Sequence, residues 1–409
     1  MRGVPRPHGV HALVRRTHEG RILEALRERG PLSRGQIARK VGLSRTTLSE
    51  ITSSLLARGA IVVVDTDAAE RRGSGRPAER LALDPRSGQF LGIDFGHRRV
   101  HISVADAAHE IVASGAHRYG DADWTERLKG AFGLLDRLGR ETGVHFAALQ
   151  GVGIGIPFST PYGASPGEDP ASDLRATFED HFGTPVVIDN NTRLAALAEA
   201  IEMPGGAARD LVYVRLSDGV GGGLVVGGRL VSGANGVAGE LGHVRAVPDG
   251  RRCRCGRRGC LETVASVPAI VAECRARGVA VTSLADLESA TWLWHPVVDD
   301  VLRDAAGALG RVLAAVTLAL NPARIVVGGE LVRVAPVFLR HVVATLRREL
   351  FTTHDATSLV RGPSLGDDDG SLGAIAALYH QSLLIVGYQE PSTTAAVSRT
   401  RSFARMRPT

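Results

Sequence analysis

A cluster of one histidine and three cysteines constrains this chain more than any other stretch. Its members are His243, Cys253, Cys255 and Cys260, and the cysteines are three of only four in the sequence. One imidazole and three thiolates are a ligand set that tetrahedral structural zinc sites use. Gly256 and Gly259 let the backbone fold back, so that closely spaced cysteines can face one ion. Scattered buried cysteines would not cluster with a histidine, so we predict that these four side chains bind Zn²⁺ in a loop over residues 240–262.

The length and the hydropathy pattern limit the architecture further. A chain of 409 residues exceeds what one hydrophobic core usually holds, so two or more domains are expected. No apolar run reaches the length of about 18 residues that a membrane span needs, and no apolar signal segment begins the chain. We therefore expect no membrane association and a cytoplasmic location, where thiols stay reduced and bind metal.

The first 86 residues predict a DNA-binding domain. They carry 17 Arg and Lys against 9 Asp and Glu, an excess larger than the net charge of +6 of the whole chain. Apolar spacing predicts a helix over 21–29, and a capping box of Ser33 and Gln36 opens a short second helix. Ser44 caps a third helix over 45–58. This layout is typical of a helix-turn-helix, whose recognition helix enters the major groove. The alternative is a helical protein-interaction domain with a solvated basic loop.

Strands over 61–64 and 79–83, joined by an arginine-rich loop over 71–77, predict a winged hairpin. Such a tip suits the minor groove or the phosphate backbone. Arginine pairs with guanine edges, while serine and threonine contact bases or phosphates. The predicted DNA contacts are Ser44, Arg45, Thr46, Thr47, Ser49, Arg71, Arg72 and Arg76.

From residue 87 the sequence changes to apolar strands that end in glycine-rich turns. Residues 90–104 predict a strand, a turn at Asp94-Phe95-Gly96 and a second strand, and residues 211–226 repeat this pattern. Two such hairpins predict a duplicated α/β fold with a ligand cleft between two lobes. We expect this body to span residues 87–385, and the polar, basic residues 386–409 to be a disordered tail.

These motifs resemble a transcriptional regulator of the ROK family (repressors, open reading frames and sugar kinases). The segments that carry the resemblance are IARKVGLSRTTLSE, DGVGGG, GANGVAGELGH, CRCGRRGCLE and IVVGGE. The resemblance implies a winged helix-turn-helix ahead of a two-lobed, actin/hexokinase-like (ribonuclease H-like) sugar-kinase body. It also implies that Glu240, His243 and Glu262 line a sugar pocket, with His243 also a zinc ligand.

The position of the kinase base carries an asparagine. Sugar kinases similar to this chain have Glu-Asn-Asp-Ala-Asn before an Ala-Ala-Leu-x-Glu helix, and their Asp removes the sugar hydroxyl proton. Aligned on residues 195–199, this chain keeps Asn190 at the first Asn but has Asn191 at the Asp position. A carboxamide cannot take the proton, and loss of a general base costs about 10²- to 10⁴-fold in rate. The resemblance therefore implies a sugar site of Asn190, Asn191, Glu240, His243 and Glu262 with no catalytic residue.

The two glycine-rich turns, which bind phosphate in similar kinases, also differ from those of kinases in a way that indicates lost kinase activity. Kinases similar to this chain have Gly-Thr-Gly in the second turn, where this chain has Ser217-Asp218-Gly219. A carboxylate at about 4 Å from a phosphate charge is repelled by about 4 kcal/mol at an effective dielectric of about 20. Arg98 stands in the first turn where kinases usually have Thr. We therefore predict an inactive kinase.

The sequence thus predicts a sugar-responsive, DNA-binding transcriptional regulator, a repressor, whose body senses a sugar or sugar phosphate. Its partners would be double-stranded operator DNA and that effector, and it would act as a homodimer or homotetramer. Two alternatives remain open. One is a DNA-binding, ATP-dependent sugar kinase, and the other is a DNA-binding protein with a vestigial body that answers to a partner protein.

Overall fold

The computed structural model describes residues 10–67, 78–107, 109–157, 170–201, 209–289, 295–350 and 359–381. The chain divides into two compact units: one comprises the residues up to Asp84 together with the segment from Gln381, and the other runs from Pro85 to His380. Three predicted DNA contacts and the predicted tail lie outside the described residues: Arg71, Arg72, Arg76 and residues 386–409. None of the described helices is long and apolar enough to cross a membrane.

The first unit contains three helices and a small antiparallel sheet. The helices are α1 Val10–Arg29, α2 Arg34–Val41 and α3 Arg45–Ala57. The strands, β1 Leu32–Ser33, β2 Ile61–Asp67 and β3 Ala78–Leu83, lie in the order β1-β3-β2. Helix α1 begins before the predicted residue 21. The prediction started after Gly20 because glycine lowers helix propensity, but Gly20 lies inside the helix. The predicted capping box of α2 is present: the Ser33 N–H donates to Gln36 Oε1 at 2.7 Å.

The first lobe of the second unit contains a five-stranded sheet in the order β6-β5-β4-β7-β8. Strands β4 to β8 are Phe90–Phe95, Arg99–Ala105, Ile111–Arg118, Gly151–Ile156 and Val186–Asn190. Helices α4 to α6 are Trp124–Thr142, Pro170–Phe182 and Asn191–Ile201. Strand β4 is parallel to β7 and antiparallel to β5. Asp94 and Phe95 pair with β5 through His101 and Val100, so the predicted turn starts only at residue 96.

The second lobe repeats the same strand order, β11-β10-β9-β12-β13. Strands β9 to β13 are Leu211–Leu216, Val220–Val226, Arg229–Leu230, Arg324–Gly328 and Val360–Arg361. A 3₁₀ turn spans Leu241–His243. Helices α7 to α12 are Glu262–Ala265, Val267–Ala276, Leu284–Glu288, Pro296–Leu320, Glu330–Val334 and Val337–Glu349. The matching order of the two sheets confirms the duplicated, ribonuclease H-like α/β fold.

The last described helix, α13 (Asp369–Gln381), packs on the first lobe although it follows the second lobe in the chain. It lies so close to the sheet that a Cβ added at Gly92 would be 2.0 Å from the Ser371 carbonyl oxygen. The hydroxyls of Ser103 and Ser371 are hydrogen-bonded at 2.8 Å. The first lobe is therefore completed by a segment that the chain reaches only after the second lobe.

Candidate functional site

A cleft of about 1400 Å³ is lined by residues of both lobes of the second unit. The five residues predicted for a sugar site all line this cleft: Asn190, Asn191, Glu240, His243 and Glu262. The first two come from the β8–α6 junction of the first lobe, and the others come from the second lobe. The structure thus places together side chains that lie far apart in the sequence. Fixed amide, imidazole and carboxylate partners of this kind suit a polyhydroxylated ligand.

The β8–α6 junction positions both asparagines. Asn190 Oδ1 accepts the Thr192 N–H at 2.8 Å, so it caps helix α6, which begins at Asn191. Asn191 is buried, and its Nδ2 donates to Asp94 Oδ1 at 3.0 Å. Burial raises the pKa of the Asp94 carboxyl. The side-chain amide of Asn191 is therefore held by a carboxylate from β4.

A buried ion pair joins the two lobes beside Asn191. Arg215 on β9 donates from Nη2 to Asp369 Oδ1 at 2.5 Å, and the Tyr213 hydroxyl donates to Asp369 Oδ2 at 2.8 Å. The Arg215 Nη1 lies 3.9 Å from Asp94 Oδ2. This cluster was not predicted from the sequence. The only indication of it was one charge, Arg215, in the otherwise apolar strand LVYVRL, because a buried charge needs a partner.

The second glycine turn, residues 217–219, contacts both the first glycine turn and the end of the cysteine loop. Arg98 Nε lies 3.9 Å from Asp218 Oδ2, so side chains of the two glycine turns face each other. Glu262 accepts the Val220 N–H at 3.2 Å. Both Glu262 oxygens also contact Arg254, at 2.9 Å from Nε and 3.0 Å from Nη2. Arg254 was not among the predicted site residues.

The four predicted metal ligands form one cluster. Their ligand atoms all lie within 4.8 Å of one another. Cys253 Sγ is 3.6 Å from His243 Nδ1, and Cys255 Sγ is 3.6 Å from Cys260 Sγ. Sulfurs that bind one tetrahedral zinc at about 2.3 Å would lie about 3.8 Å apart. Burial raises the pKa of the Cys255 thiol, but hydrogen bonding to Arg257 outweighs it and lowers this pKa to about 7. The donor set and its spacing therefore fit a single thiophilic metal ion.

Helix α3 of the first unit presents the predicted recognition surface. Its buried stripe is Leu48, Ile51, Thr52 and Leu55. Arg45, Thr46 and Ser49 are exposed on the other side. Ser44 and Thr47 cap the helix: the Thr47 N–H donates to Ser44 Oγ at 3.2 Å, and the two hydroxyls lie 2.8 Å apart. The described predicted contacts thus lie at the N-terminal end of one helix.

These features define a protein with a helix-turn-helix unit and a two-lobed, sugar-kinase-like body on one chain. Residues 15–62 match the winged helix-turn-helix DNA-binding model, and residues 90–382 match the ROK family model. Because the second match covers well over half of the sequence, the chain belongs to the ROK family.

Known relatives include both regulators and kinases. The chain is 24% identical over 394 residues to the DNA-binding transcriptional repressor Mlc of Escherichia coli, covering 91% of this chain and 96% of Mlc. It is 28% identical over 309 residues to a glucokinase of Halalkalibacterium halodurans, covering 69% and 93%. The fold is similar, with a TM-score of 0.64 and 24% identity, to a crystal structure of a ROK family transcriptional regulator homologous to Mlc, over 91% of this chain and 98% of the other.

Proposed function

We propose that this protein is a sugar-responsive, DNA-binding transcriptional repressor whose ROK body binds a sugar or sugar phosphate without phosphorylating it. One observation carries the proposal. The cleft is lined by amide, imidazole and carboxylate side chains, and the amide of Asn191, the residue that we assign to the position of the kinase base, is bound to Asp94. The similarity to Mlc over nearly the whole chain, including the helix-turn-helix, supports the regulatory assignment.

The carboxylate next to this position does not replace the missing base. Asp189 directly precedes the two asparagines, and burial raises its pKa. Its Oδ1 accepts the Asn190 N–H at 2.7 Å and lies 3.1 Å from Arg193 Nη1. Asp189 is also not among the residues that line the cleft. A carboxylate that is already paired with Arg193 and does not line the cleft is poorly placed to accept the proton of a sugar hydroxyl.

Protein side chains neutralise one another in the region where kinases of this family bind phosphates. Asp94 and Asp369 are matched by Arg215, and Asp218 faces Arg98. A nucleotide phosphate entering here would meet carboxylates whose cationic partners are already engaged. Asp94 and Asp369 share the single charge of Arg215, so this group keeps a net negative charge, and an uncompensated carboxylate at about 4 Å from a phosphate charge is repelled by about 4 kcal/mol at an effective dielectric of about 20. This arrangement supports binding without phosphoryl transfer.

The cysteine cluster is proposed to bind Zn²⁺ through His243, Cys253, Cys255 and Cys260. When bound, zinc would act as a structural cross-link for the loop. The loop ends at Cys260, two residues before Glu262, and His243 itself lines the cleft. Metal binding and cleft order are therefore proposed to be coupled. Substituting His243→Ala should abolish zinc binding and the effector response together, and a response that survives zinc loss would disprove the coupling.

The DNA partner is proposed to be double-stranded operator DNA, bound by a homodimer or homotetramer in the cytoplasm. Effector binding would change DNA affinity only through different affinities for two states of the body. The test is a titration of the full chain with DNA from its own upstream region, with and without a panel of sugars and sugar phosphates. Specific binding that a sugar weakens is expected. Failure to bind any DNA specifically would disprove the proposal.

The kinase alternative is tested by ATP turnover over the same panel of sugars. No turnover above background is expected. Robust turnover that Asn191→Ala abolishes would establish the kinase alternative instead. The vestigial-body alternative is tested by calorimetry on the zinc-loaded protein, where absence of any sugar binding would favour it.

A further inference from the structure

Arg254 on the cysteine loop is bound to the carboxylate of Glu262 in the cleft. Its Nε lies 2.9 Å from Glu262 Oε1, and its Nη2 donates to Glu262 Oε2 at 3.0 Å. The Glu262 side chain is only 11% exposed and also accepts the Val220 N–H, so it is fixed from two sides. Arg254 itself lines the cleft and is 56% exposed. A fixed carboxylate therefore orients an accessible guanidinium group in the cleft.

The guanidinium group of Arg254 has a second edge that can bind a ligand. A guanidinium carries five N–H donors in a rigid fork. Glu262 takes the edge formed by Nε and Nη2, whereas Nη1 makes no hydrogen bond to any residue that the structure describes. The edge formed by Nη1 and Nη2 matches a carboxylate or a phosphate, which arginine binds through two parallel hydrogen bonds. Because Glu262 already holds the arginine, little side-chain entropy is lost when a ligand binds this edge.

The segment that carries Arg254 accumulates positive charge. Residues 251–258 contain five arginines and no acidic residue. Three of these arginines have an acidic or thiol partner: Arg251 with Glu273, Arg254 with Glu262 and Arg257 with Cys255. Arg252 and Arg258 are exposed and lie opposite each other in an antiparallel β-bridge, and neither forms an ion pair with the described residues. Like charges directly opposite each other in a β-ladder are destabilising, so this loop favours a bound anion over a neutral group.

We propose that Arg254 selects an effector with an anionic group, a sugar phosphate or a sugar acid, by donating two hydrogen bonds to that group. The assignment rests on the proposed function, in which the cleft binds the hydroxyls of a sugar. It is compatible with the repulsion of a nucleotide phosphate, because Asp94 and Asp369 contact Arg215 and not Arg254. Arg254 is thus a specificity-determining residue at the cysteine-loop end of the cleft.

The test is calorimetry on the full-length protein prepared with Zn²⁺, at constant ionic strength. The probes are glucose and N-acetylglucosamine, each as the neutral sugar and as its 6-phosphate, together with glucuronate. Wild type should bind at least one anionic probe about tenfold more tightly than the matched neutral sugar, because hydrogen bonds between charged groups are the stronger ones. Tighter binding of a 6-phosphate or of glucuronate then identifies the anionic group as a phosphate or a carboxylate.

Two substitutions of Arg254 separate its charge from its fork geometry. Arg254→Gln removes both, so it should weaken the anionic probe by about tenfold and the neutral sugar by less than about threefold. Arg254→Lys keeps the charge without the fork and should give an intermediate loss, and it also serves as the test variant if Arg254→Gln does not fold.

Arg252→Gln is the matched control. It removes the same charge from the same loop, at a residue that does not line the cleft. Because exposed charges are screened by salt, it should change the affinity for each probe by less than about twofold.

Four results would overturn the assignment. Equal affinity of wild type for neutral and anionic probes would refute the selection of an anion and leave sugar binding intact. Equal losses in Arg254→Gln and Arg252→Gln would show that the loop charge acts without a specific contact. Equal weakening of neutral and anionic probes by Arg254→Gln would show that Arg254 only supports the cleft. If wild type binds none of the probes, the result counts against the proposed sugar binding itself, and the assignment fails with it.

Discussion

At the scale of single residues, the pairing of Arg215 with Asp369 is the most consequential contact. The side chains are only 17% and 8% exposed, so neither charge is well solvated. Removing one partner of a buried pair leaves an uncompensated charge, whereas replacing both with apolar groups is often tolerated. We therefore predict that removing one partner of the pair destabilises the body more than replacing both partners with apolar residues.

Substituting Asp369→Ala should lower the free energy of unfolding of the body by about 3 kcal/mol. The double change Arg215→Met and Asp369→Leu should cost less than Asp369→Ala alone. Asp367→Ala is the control, because Asp367 is 51% exposed and binds Arg99 near the surface, and it should cost less than about 1 kcal/mol. Urea unfolding followed by near-ultraviolet circular dichroism measures all three. Equal costs for Asp367→Ala and Asp369→Ala would contradict the prediction.

His101 provides a pH-dependent prediction. Burial lowers its pKa below the usual 6.5, and outweighs the opposing influence of Asp367 and Asp368. The unfolded state then binds more protons than the folded state at acidic pH. The His101 contribution to stability is fully present above pH 6.5 and is lost as the pH falls from there through the lowered folded-state pKa.

The urea midpoint of wild type should therefore decline between pH 7.5 and 5.5 more steeply than that of His101→Gln, which has no titrating group at this position. Parallel midpoints of the two proteins across this interval would show that His101 does not titrate differently in the folded state.

At the scale of elements, the cysteine loop depends on a close backbone approach at Gly259. This residue has φ +72°, and an added Cβ would lie 1.7 Å from the Val247 carbonyl oxygen. Gly256 also has a positive φ, +87°, but an added Cβ there meets nothing within 4 Å. The two glycines of the loop thus differ in what a methyl group would displace.

Gly259→Ala should abolish stoichiometric zinc binding, because the loop must open to relieve the clash. Gly256→Ala should keep zinc, with a loss of stability of about 1 kcal/mol from backbone strain. Metal analysis of the purified variants measures the difference. Full zinc occupancy in Gly259→Ala would refute the role given to this contact.

Local elements were predictable from sequence, and contacts between distant elements were not. The capping box at Ser33, the cap at Ser44 and both glycine hairpins follow from short-range rules. The pairing of Arg215 with Asp369 joins β9 to α13, and no local pattern indicates which acid a lone arginine meets. Arg254 was not predicted for another reason. It lies between Cys253 and Cys255, and this segment was interpreted only as part of the metal site. The roles given to the cleft residues stay predictions until a ligand is bound.

At the scale of the whole molecule, helix α13 connects the two lobes of the body. Ser371 on this helix packs on the first lobe, while Asp369 at its beginning binds Arg215 and Tyr213 of the second lobe. A protein ending at Asp368 should therefore lose the cooperative unfolding of the body. Helix α3 should keep its amide protection in the same protein, because the described helices and strands of its unit all lie before Asp84. Hydrogen exchange measured by mass spectrometry tests both expectations, and a truncated body that stays protected would contradict them.

The position of α13 also sets an order of events during synthesis. The first unit can begin to fold before the body, since its described helices and strands all lie before Asp84. The β4–β8 sheet must wait, because the backbone that covers Gly92 is translated only after the entire second lobe. Throughout that interval the nascent chain carries a finished DNA-binding unit and an uncovered apolar sheet face. Domains generally fold as units in chain order, so this late closure makes the emerging body a natural client for chaperones.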